Sequence, residues 1–243
     1  MKIKLFLLIM LTMLSNTSLV IAQEILIFST IENSVNAEIS ASVMQEAYSR
    51  IGIKVKIERL PAARALVKSN NGEVDGELYR VVNVHKKWKN LLMVPTPVNF
   101  MEGVVMTKNT TFSVNGWESL RPYKIGVRKG IRFSDEGTKG MNRRELHSNQ
   151  SLLNFLNMNR ADIIVITRAN GLKVREKLNL TELKILEPSV EVNPLYHYLH
   201  KKHKALVPII DTVLQKMKNE GLIEEIRERF ISNLSKPHYP PQE

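Results

Sequence analysis

Hydrophobic and polar residues follow two kinds of spacing in the first hundred positions of the chain. Ile39, Val43 and Ala47 recur every four residues, which places them on one face of a helix. Short apolar or alternating runs on either side of this segment are typical of strands. The pattern predicts strands at residues 25–28, 53–57, 74–79 and 91–94 and helices at residues 36–50 and 61–69. This β-α-β-α-β order predicts a parallel sheet with helices on both faces.

The same alternation returns in the second half of the chain. The run Asp-Ile-Ile-Val-Ile-Thr at residues 162–167 is the clearest buried strand. Its neighbours are predicted as strands at residues 102–107, 123–128 and 183–186 and as helices at residues 116–120, 134–139, 149–159 and 170–178. After an extended segment at residues 194–200, two helices are predicted at residues 205–219 and 222–234. They have no sheet of their own, so we expect them to pack on the first half.

These two alternations predict an α/β protein with two lobes. Lobe one is expected to contain residues 23–104 and 195–243, and lobe two residues 105–194. A chain of 243 residues can bury sufficient cores without disulfides, and this chain contains no cysteine. The absence of cysteine also excludes thiolate nucleophiles, cysteine-ligated zinc and iron–sulfur clusters.

Both ends of the sequence differ in composition from the rest. Two early lysines precede an apolar stretch at residues 5–14, and Val-Ile-Ala ends at Ala22. This pattern predicts a signal peptide at residues 1–22 and a periplasmic mature protein. A membrane anchor is the alternative, although the apolar stretch is shorter than the roughly 20 residues that span a bilayer. The tail at residues 237–243 is rich in proline and is predicted to be disordered.

The formal net charge of +11 is spread along the chain in short doublets. It is not accompanied by a DNA- or RNA-binding motif, and an exported protein does not meet nucleic acid, so we expect no nucleic-acid partner. Two interpretations remain, a solvated basic surface or a bias toward acidic solutes. The sequence predicts no cofactor.

Four short segments occur in an order and spacing that resemble one bacterial family. They are Asn-Gly-Glu-Val-Asp-Gly at residues 71–76, Tyr-Lys-Ile-Gly-Val-Arg-Lys-Gly at residues 123–130, Asn-Arg-Ala-Asp-Ile at residues 159–163 and Lys-Met-Lys-Asn-Glu-Gly-Leu-Ile at residues 216–223. The chain thus resembles the extracellular solute-binding proteins of family 3, the amino-acid-binding group of type II periplasmic binding proteins. The resemblance implies a two-lobed fold with a ligand cleft between the lobes. It also implies a monomer that captures a small molecule for an ABC-type permease or a receptor.

The ligand clamp that the resemblance implies is only partly matched. Amino-acid-binding members carry a Ser/Thr-rich stretch and, a few residues later, an arginine for the ligand carboxylate. Residues 77–85 here read Glu-Leu-Tyr-Arg-Val-Val-Asn-Val-His, so Arg80 is the candidate arginine at a shifted position. The family's aspartate for the ligand amino group has no counterpart. These departures favour a solute other than a standard amino acid.

The candidate residues of lobe one lie at a strand end and a helix N-terminus, where α/β proteins bind ligands. Glu77 and Arg80 suit an ammonium and a carboxylate, or form a surface ion pair. Arg64 lies on the first turn of a predicted helix, and the two interpretations of it are a ligand contact and a solvated side chain. Tyr79 has two interpretations as well, an aromatic wall of the ligand cleft and a residue of the apolar core. Replacing Arg80 with alanine is expected to weaken binding with little effect on folding.

The candidate residues of lobe two follow two predicted strands. Arg128 precedes Gly130, a glycine that permits a tight turn with exposed N–H groups suited to an anion. Thr167 and Arg168 lie at the end of the buried strand predicted at residues 162–167. If the turn at Gly130 binds a ligand, these two residues are expected to face it across the cleft. Trp117 is a second candidate aromatic wall, or a core residue.

Two other classes of function remain open. An enzyme similar to the dehydratases of this fold requires a paired acid and base, for which Glu77 and His85 are the candidates. A ligand-sensing module that acts in trans is the other class. His197, His200 and His203 invite a metal-site interpretation, but their extended context favours a structural crossover between the lobes.

Overall fold

The computed structural model describes residues 25–234, so the predicted signal peptide at residues 1–22 and the tail at residues 237–243 lie outside the described residues. The strands are β1 (Ile25–Ile31), β2 (Lys54–Leu60), β3 (Gly76–Val81), β4 (Leu91–Thr107), β5 (Ile125–Arg128), β6 (Arg143–Leu146), β7 (Ile163–Thr167) and β8 (Lys184–His200). The α-helices are α1 (Val35–Ser49), α2 (Ala62–Asn71), α3 (Val84–Lys87), α4 (Arg132–Gly137), α5 (Asn149–Asn157), α6 (Arg168–Lys177), α7 (Leu206–Asn219) and α8 (Leu222–Asn233). Short 3-10 turns occupy Trp117–Leu120 and Lys201–His203.

The strands of the described region join in one mixed sheet in the order β2-β1-β3-β8-β4-β7-β5-β6. β1 is parallel to β2 and β3, and β5 is parallel to β6 and β7. The parallel pairing predicted for the first half of the chain is therefore present, and the second half repeats it. β8 lies antiparallel between β3 and β4, and β4 is antiparallel to β7.

β4 and β8 are longer than the sequence pattern predicts. The separate strands expected at residues 91–94 and 102–107 form one strand of 17 residues. The segments expected at residues 183–186 and 194–200 likewise fall almost entirely within β8. The prolines of β4 indicated a break because proline donates no ladder hydrogen bond. The pairing of β4 with β8 shifts register on both sides of Pro97, and this irregularity accommodates them.

β6 was not predicted from the sequence. Its sequence Arg-Arg-Glu-Leu has no period-two alternation of apolar residues. The strand lies at the edge of the sheet, where parallel pairing with β5 defines it and where charged side chains are typical.

The apolar core is divided between the two ends of the sheet. We call β1, β2, β3 and the adjoining ends of β4 and β8, with α1, α7 and α8, the β1 side. Its buried residues include Leu26, Phe28, Met44, Tyr48, Leu78, Ile210, Leu214 and Ile226. We call β5, β6, β7 and the remaining parts of β4 and β8, with α4, α5 and α6, the β7 side. Its buried residues include Val105, Val127, Val165, Leu152, Leu156 and Ile164.

The chain crosses from the β1 side to the β7 side on β4 and returns on β8. These two strands pair with each other from Leu91 with His200 to Thr107 with Lys184. After the return, α7 and α8 pack on the β1 side. The expected lobe boundaries at residues 104/105 and 194/195 fall inside the two crossing strands, and the division into lobes at those residues stays a prediction.

Candidate functional site

The C-terminal ends of the parallel strands on the two sides border a common region. α1 begins after β1, α6 begins after β7, and Val35, Ile39 and Ala169 from their first turns share one buried apolar cluster. Open α/β sheets bind ligands outside the carboxyl ends of their strands. The region between the ends of β1 and β3 and the ends of β5 and β7 is therefore the candidate site.

A buried polar network borders this region on the β1 side. Glu77 has no exposed surface. Its carboxylate accepts hydrogen bonds from the hydroxyls of Ser29 at 2.8 Å and Ser69 at 3.2 Å. It also accepts one from Nε of Arg80 at 2.7 Å, and Nη2 of Arg80 donates to the carbonyl of Ala62 at 2.9 Å. We call Ser29, Ser69, Glu77 and Arg80 the β1-side wall.

This geometry gives Glu77 a positioning role in place of the direct ligand contact that the sequence suggested. Burial raises the pKa of Glu77, and Arg80 and the serine hydroxyls act in the opposite direction. Arg80 is 8% exposed, and within residues 25–234 its Nη1 group has no hydrogen-bond partner. That group is available to a solute. Because removing Arg80 would leave a buried carboxylate unpaired, we expect an effect on folding, contrary to the expectation from sequence.

Small residues bring the two serines of the wall to Glu77. Ser29 Oγ lies 3.0 Å from the carbonyl of Ala65, so β1 and α2 are in close contact. Ser69 follows one turn later and is also buried. β3 begins at Gly76, where a side chain would meet the carbonyl oxygen of Tyr198 at 2.2 Å.

Tyr79 and Arg64 differ in their surroundings on the β1 side. Tyr79 is buried in the core, and its hydroxyl lies 2.8 Å from that of Ser34, the N-cap residue of α1. Arg64 is exposed on the first turn of α2, two residues after the carbonyl of Ala62 that Arg80 binds. Tyr79 thus packs in the core, and Arg64 is an exposed cation on the helix that Arg80 contacts.

A small cavity lined by both polar and apolar residues borders the region on the β7 side. Its polar lining residues, which we call the β7-side wall, are Arg128, Ser134, Asn149, Thr167 and Asn170. Asn170 Nδ2 donates to Thr167 Oγ1 at 2.8 Å, which leaves the threonine hydroxyl hydrogen for another acceptor. The described residues that line this cavity include no carboxylate.

The turn after β5 brings Arg128 to this cavity. Arg128 is the last residue of β5 and is half-buried. Gly130 follows with φ +77°, a left-handed conformation that glycine adopts without strain. Among the described residues, and apart from the two adjacent ones, no atom lies within 4 Å of the position of a Cβ at Gly130. The turn therefore requires glycine for its backbone conformation and not for close packing.

Arg168 lies beside the β7-side wall but is already bound by carboxylates. Its Nε donates to Glu102 at 2.7 Å, and its Nη atoms donate to Glu187 at 2.8 and 2.9 Å. Arg227 of α8 donates to the same Glu102 oxygen at 2.6 Å. The hydrogen bonds to Glu187 and the charge of Glu102 raise the pKa of Arg168. Arg168 therefore joins α6 to β4, β8 and, through Glu102, α8. Its contact with a ligand stays a prediction.

Trp117 is half-buried and packs against the β7-side core. Its ring lies 6.2 Å from that of Phe133, and its Nε1 donates to Glu191 at 3.0 Å. Gly137 lies directly against the indole, because a Cβ there would approach it to 2.3 Å. This packing favours the core interpretation of Trp117, and its role as an aromatic wall of the site stays a prediction.

The three histidines near the end of β8 have separate partners. His197 is completely buried, with Nε2 3.0 Å from the hydroxyl of Tyr48 and Nδ1 2.9 Å from the carbonyl of Glu77. Burial lowers the pKa of His197 to about 4. His203 Nε2 lies 2.7 Å from Asp75, and His200 packs against the backbone of α2 at its C-terminal glycine. The segment therefore serves as a crossover stabilised at three points.

Glu77 and His85, the acid and base that an enzyme was expected to use, lie in different environments. His85 is on α3 and borders an apolar groove with Leu91 and Val207. Glu77 is enclosed by the β1-side wall. The two residues therefore do not form the expected catalytic pair.

The sequence profile of one family covers most of the chain. The profile of the bacterial extracellular solute-binding proteins, family 3, matches residues 32–233. This protein belongs to that family. An uncharacterized protein of Shewanella oneidensis is 26% identical to it over 195 residues, which are 77% of this chain and 74% of that protein.

Solved structures share the fold of this solute-binding protein. The GluR0 ligand-binding core in complex with L-glutamate has a TM-score of 0.68 at 14% identity, over 86% of this chain and 99% of that chain. A histidine kinase sensor domain with similarity to periplasmic binding proteins has a TM-score of 0.63 at 13% identity, over 86% and 96%. The substrate binding protein of an amino acid ABC transporter has a TM-score of 0.56 at 16% identity, over 86% and 99%.

The type II periplasmic-binding-protein fold and the family predicted from sequence are thus confirmed. Members of this family are extracellular solute-binding proteins. Within residues 25–234, no helix combines the length and the apolar character needed to cross a bilayer.

Proposed function

We propose that this protein captures a small polar or charged solute, amino-acid-like or an organic anion, and delivers it to an ABC-type transporter. The β1 side is lobe one, residues 23–104 and 195–243, and the β7 side is lobe two, residues 105–194. The signal peptide is cleaved near Ala22, and the mature protein acts as a monomer in the periplasm.

One observation carries this proposal. Polar walls border the candidate site on both sides of the crossing strands, and each wall contains an arginine with N–H groups that no described residue binds. Arg80 supplies its Nη1 group from the β1-side wall, and Arg128 supplies its guanidinium from the β7-side wall. A planar guanidinium with several N–H groups suits a carboxylate or phosphate.

The crossing strands supply the means of closure. β4 and β8 are the two covalent connections between the sides, and their pairing shifts register between Gly103 and Val105, next to the expected lobe boundary. Hinge motion at such connections closes two lobes on a ligand and removes water from it. A solute enclosed in this way requires charges or donors that match its own, and the two walls provide them.

Calorimetry with a metabolite library tests this proposal. The protein is first unfolded and refolded to remove any solute that purified with it, and monomeric protein is selected by size-exclusion chromatography. A saturating heat of binding, with a solute that mass spectrometry recovers unchanged, is the expected result. A chemically altered solute would establish the dehydratase-like alternative, and a library without any binder would contradict solute capture.

A sensing role is the second candidate, favoured by the similarity to a histidine kinase sensor domain. Uptake of the identified solute by cells with and without the gene separates the two roles. Loss of uptake in the deletion strain supports transport. Unchanged uptake, with a changed transcriptional response to the solute, supports sensing.

A further inference from the structure

The apolar groove beside His85 combines an apolar floor with a basic rim. Its volume is about 650 Å³. Residues 91–93 and Val207 supply the apolar part of its lining, and His85, Lys89 and Lys204 supply the basic part. The described residues of this lining include no carboxylate. Ile209, two positions after Val207 on α7, is apolar and 47% exposed. The groove therefore presents apolar surface and positive charge side by side.

Folding brings two lysine-rich segments together at this groove. Residues 85–89 read His-Lys-Lys-Trp-Lys, and residues 201–204 read Lys-Lys-His-Lys. The N–H of Lys201 donates to the carbonyl of Asn90 at 2.8 Å, so the two segments, which are distant in sequence, are adjacent in space. We call these two segments the lysine face.

Most of the positive charge on the lysine face has no counter-charge. Lys202 pairs with Asp75 at 2.8 Å, and His203 contacts the same carboxylate. Among residues 25–234, no ion pair forms at the other lysines of the face, all of which are exposed: Lys86, Lys87, Lys89, Lys201 and Lys204. The face is therefore complementary to a negatively charged surface.

From this arrangement we infer that the lysine face and its groove bind the surface of an anionic lipid membrane. Lysines close to such a membrane are each attracted by its negative surface potential. Trp88 is half-buried, with Nζ of Lys87 5.6 Å from the centre of its ring, and tryptophan is enriched at membrane–water interfaces. An apolar groove next to these groups accepts the upper part of an acyl chain.

An acidic protein would match the charge of this face but fits its composition less well. Contact surfaces between proteins are enriched in arginine and depleted in lysine. The two segments of the lysine face contain six lysines and no arginine. The composition therefore favours lipid as the occupant.

The lysine face leaves the candidate site accessible. Lys201 directly follows β8, whose residue Leu199 pairs with Gly76, the first residue of β3. The candidate site lies at the opposite, carboxyl end of β3. A protein that rests on a membrane by residues 201–204 thus keeps its cleft open to the solute. The inference concerns a different surface from the proposed function and does not depend on which solute is bound.

Sedimentation with lipid vesicles tests the inference. The probe is the mature protein from Gln23 onward, because the apolar stretch at residues 5–14 would itself bind lipid. We expect it to bind vesicles of equal parts phosphatidylglycerol and phosphatidylcholine, and not vesicles of phosphatidylcholine alone. Binding should weaken strongly at about 1 M salt, where the Debye length is about 3 Å. The emission of Trp88 should shift to shorter wavelength on the mixed vesicles, and Trp88→Phe should remove that shift.

A matched pair of triple variants links the binding to the lysine face. The test variant carries Lys89→Gln, Lys201→Gln and Lys204→Gln. The control removes the same charge from exposed lysines of the β7 side, by Lys139→Gln, Lys173→Gln and Lys177→Gln. The test variant should bind the mixed vesicles roughly a hundred-fold more weakly than the unmodified protein, and the control should retain its affinity. Unchanged melting temperatures show that both variants are folded.

Several results would overturn the inference. Equal weakening in the two triple variants would show that net charge alone attracts the protein to lipid. Equal binding to both kinds of vesicle, binding to neither, or an unshifted Trp88 emission would also contradict it. Binding to immobilised polyglutamate without binding to vesicles would assign the face to an acidic protein instead. The metabolite library is measured without lipid, so each of these results leaves solute capture to its own test.

Discussion

The two walls of the candidate site are constructed in opposite ways. On the β1 side, Arg80 is held by Glu77, which is held in turn by Ser29 and Ser69 within the core. On the β7 side, Arg128 is half-buried at a cavity whose other lining side chains are uncharged, some polar and some apolar. Other residues of the fold hold the guanidinium of Arg80 in place, whereas the guanidinium of Arg128 remains available to a ligand.

This contrast predicts that one wall determines the stability of the fold and the other the affinity for the solute. Breaking a buried ion pair leaves a charge in a medium that solvates it poorly, which strongly destabilises a protein. Removing a half-exposed arginine that has no partner changes folding little. Substitutions in the β1-side wall should therefore act on unfolding, and substitutions in the β7-side wall on solute affinity.

The largest effect is expected for Glu77→Gln. The variant leaves the charge of Arg80 uncompensated at 8% exposure, so the free energy of unfolding should fall by about 3–5 kcal/mol. Arg128→Gln should change it by less than about 0.5 kcal/mol. Urea unfolding followed by circular dichroism measures both variants. Equal transition midpoints would show that the two walls do not differ in this way.

A smaller effect is expected on acidification, and it also originates on the β1 side. Burial holds the pKa of His197 at about 4 in the folded protein, against 6.5 in the unfolded chain. Between these values the unfolded state binds the proton more readily. The stability contributed by neutral His197 is therefore complete above pH 6.5 and is lost as the pH falls to 4. The loss amounts to about 3 kcal/mol.

His197→Gln is the control for this pH dependence. Glutamine keeps a donor and an acceptor near Tyr48 and the carbonyl of Glu77, and it does not titrate. Carboxylates contribute to the unfolding free energy of both proteins, so the difference between their pH profiles isolates the histidine. Parallel profiles between pH 7 and pH 4 would contradict the prediction.

The smallest effect is expected for Gly130→Ala on the β7 side. Alanine at φ +77° has open space around it, so the cost is backbone strain of about 1 kcal/mol. Gly52 has φ +75° and equally open surroundings on the β1 side, so Gly52→Ala should cost about the same. Thermal unfolding checks this equality. Only Gly130→Ala should weaken solute binding, because it alters the turn that carries Arg128; equal affinities for the two variants would argue against that role.

The sequence could predict the parts of the fold that depend on local periodicity. The buried run that became β7 and the four-residue spacing of α1 required no knowledge of distant residues. β6 and the continuity of β4 through Pro97 could not be predicted in this way, because pairing with other strands determines them. A four-residue polar segment carries no period that would reveal its partner.

The candidate site was predictable to the same extent. Arg80 and Arg128 could be selected because each follows a predicted strand. Their different environments could not be predicted, since Ser29 lies 48 positions from Glu77. Glu102 is 66 positions from Arg168 and 125 from Arg227, so the sequence did not show that Arg168 was already paired. A single serine or glutamate in a strand does not indicate which distant side chain it will meet.

The position of β8 between β3 and β4 determines the order in which the protein is completed during synthesis. A ribosome releases β1, β2, β3 and β4 long before residues 184–200 exist, so neither β3 nor β4 has its neighbour. α7 and α8, which cover the same core, emerge later still. Partners this distant in sequence slow folding, and unpaired strand edges bind other chains. The side of the molecule that is made first is thus completed last, and the edges of β3 and β4 can pair with other chains until β8 lies between them.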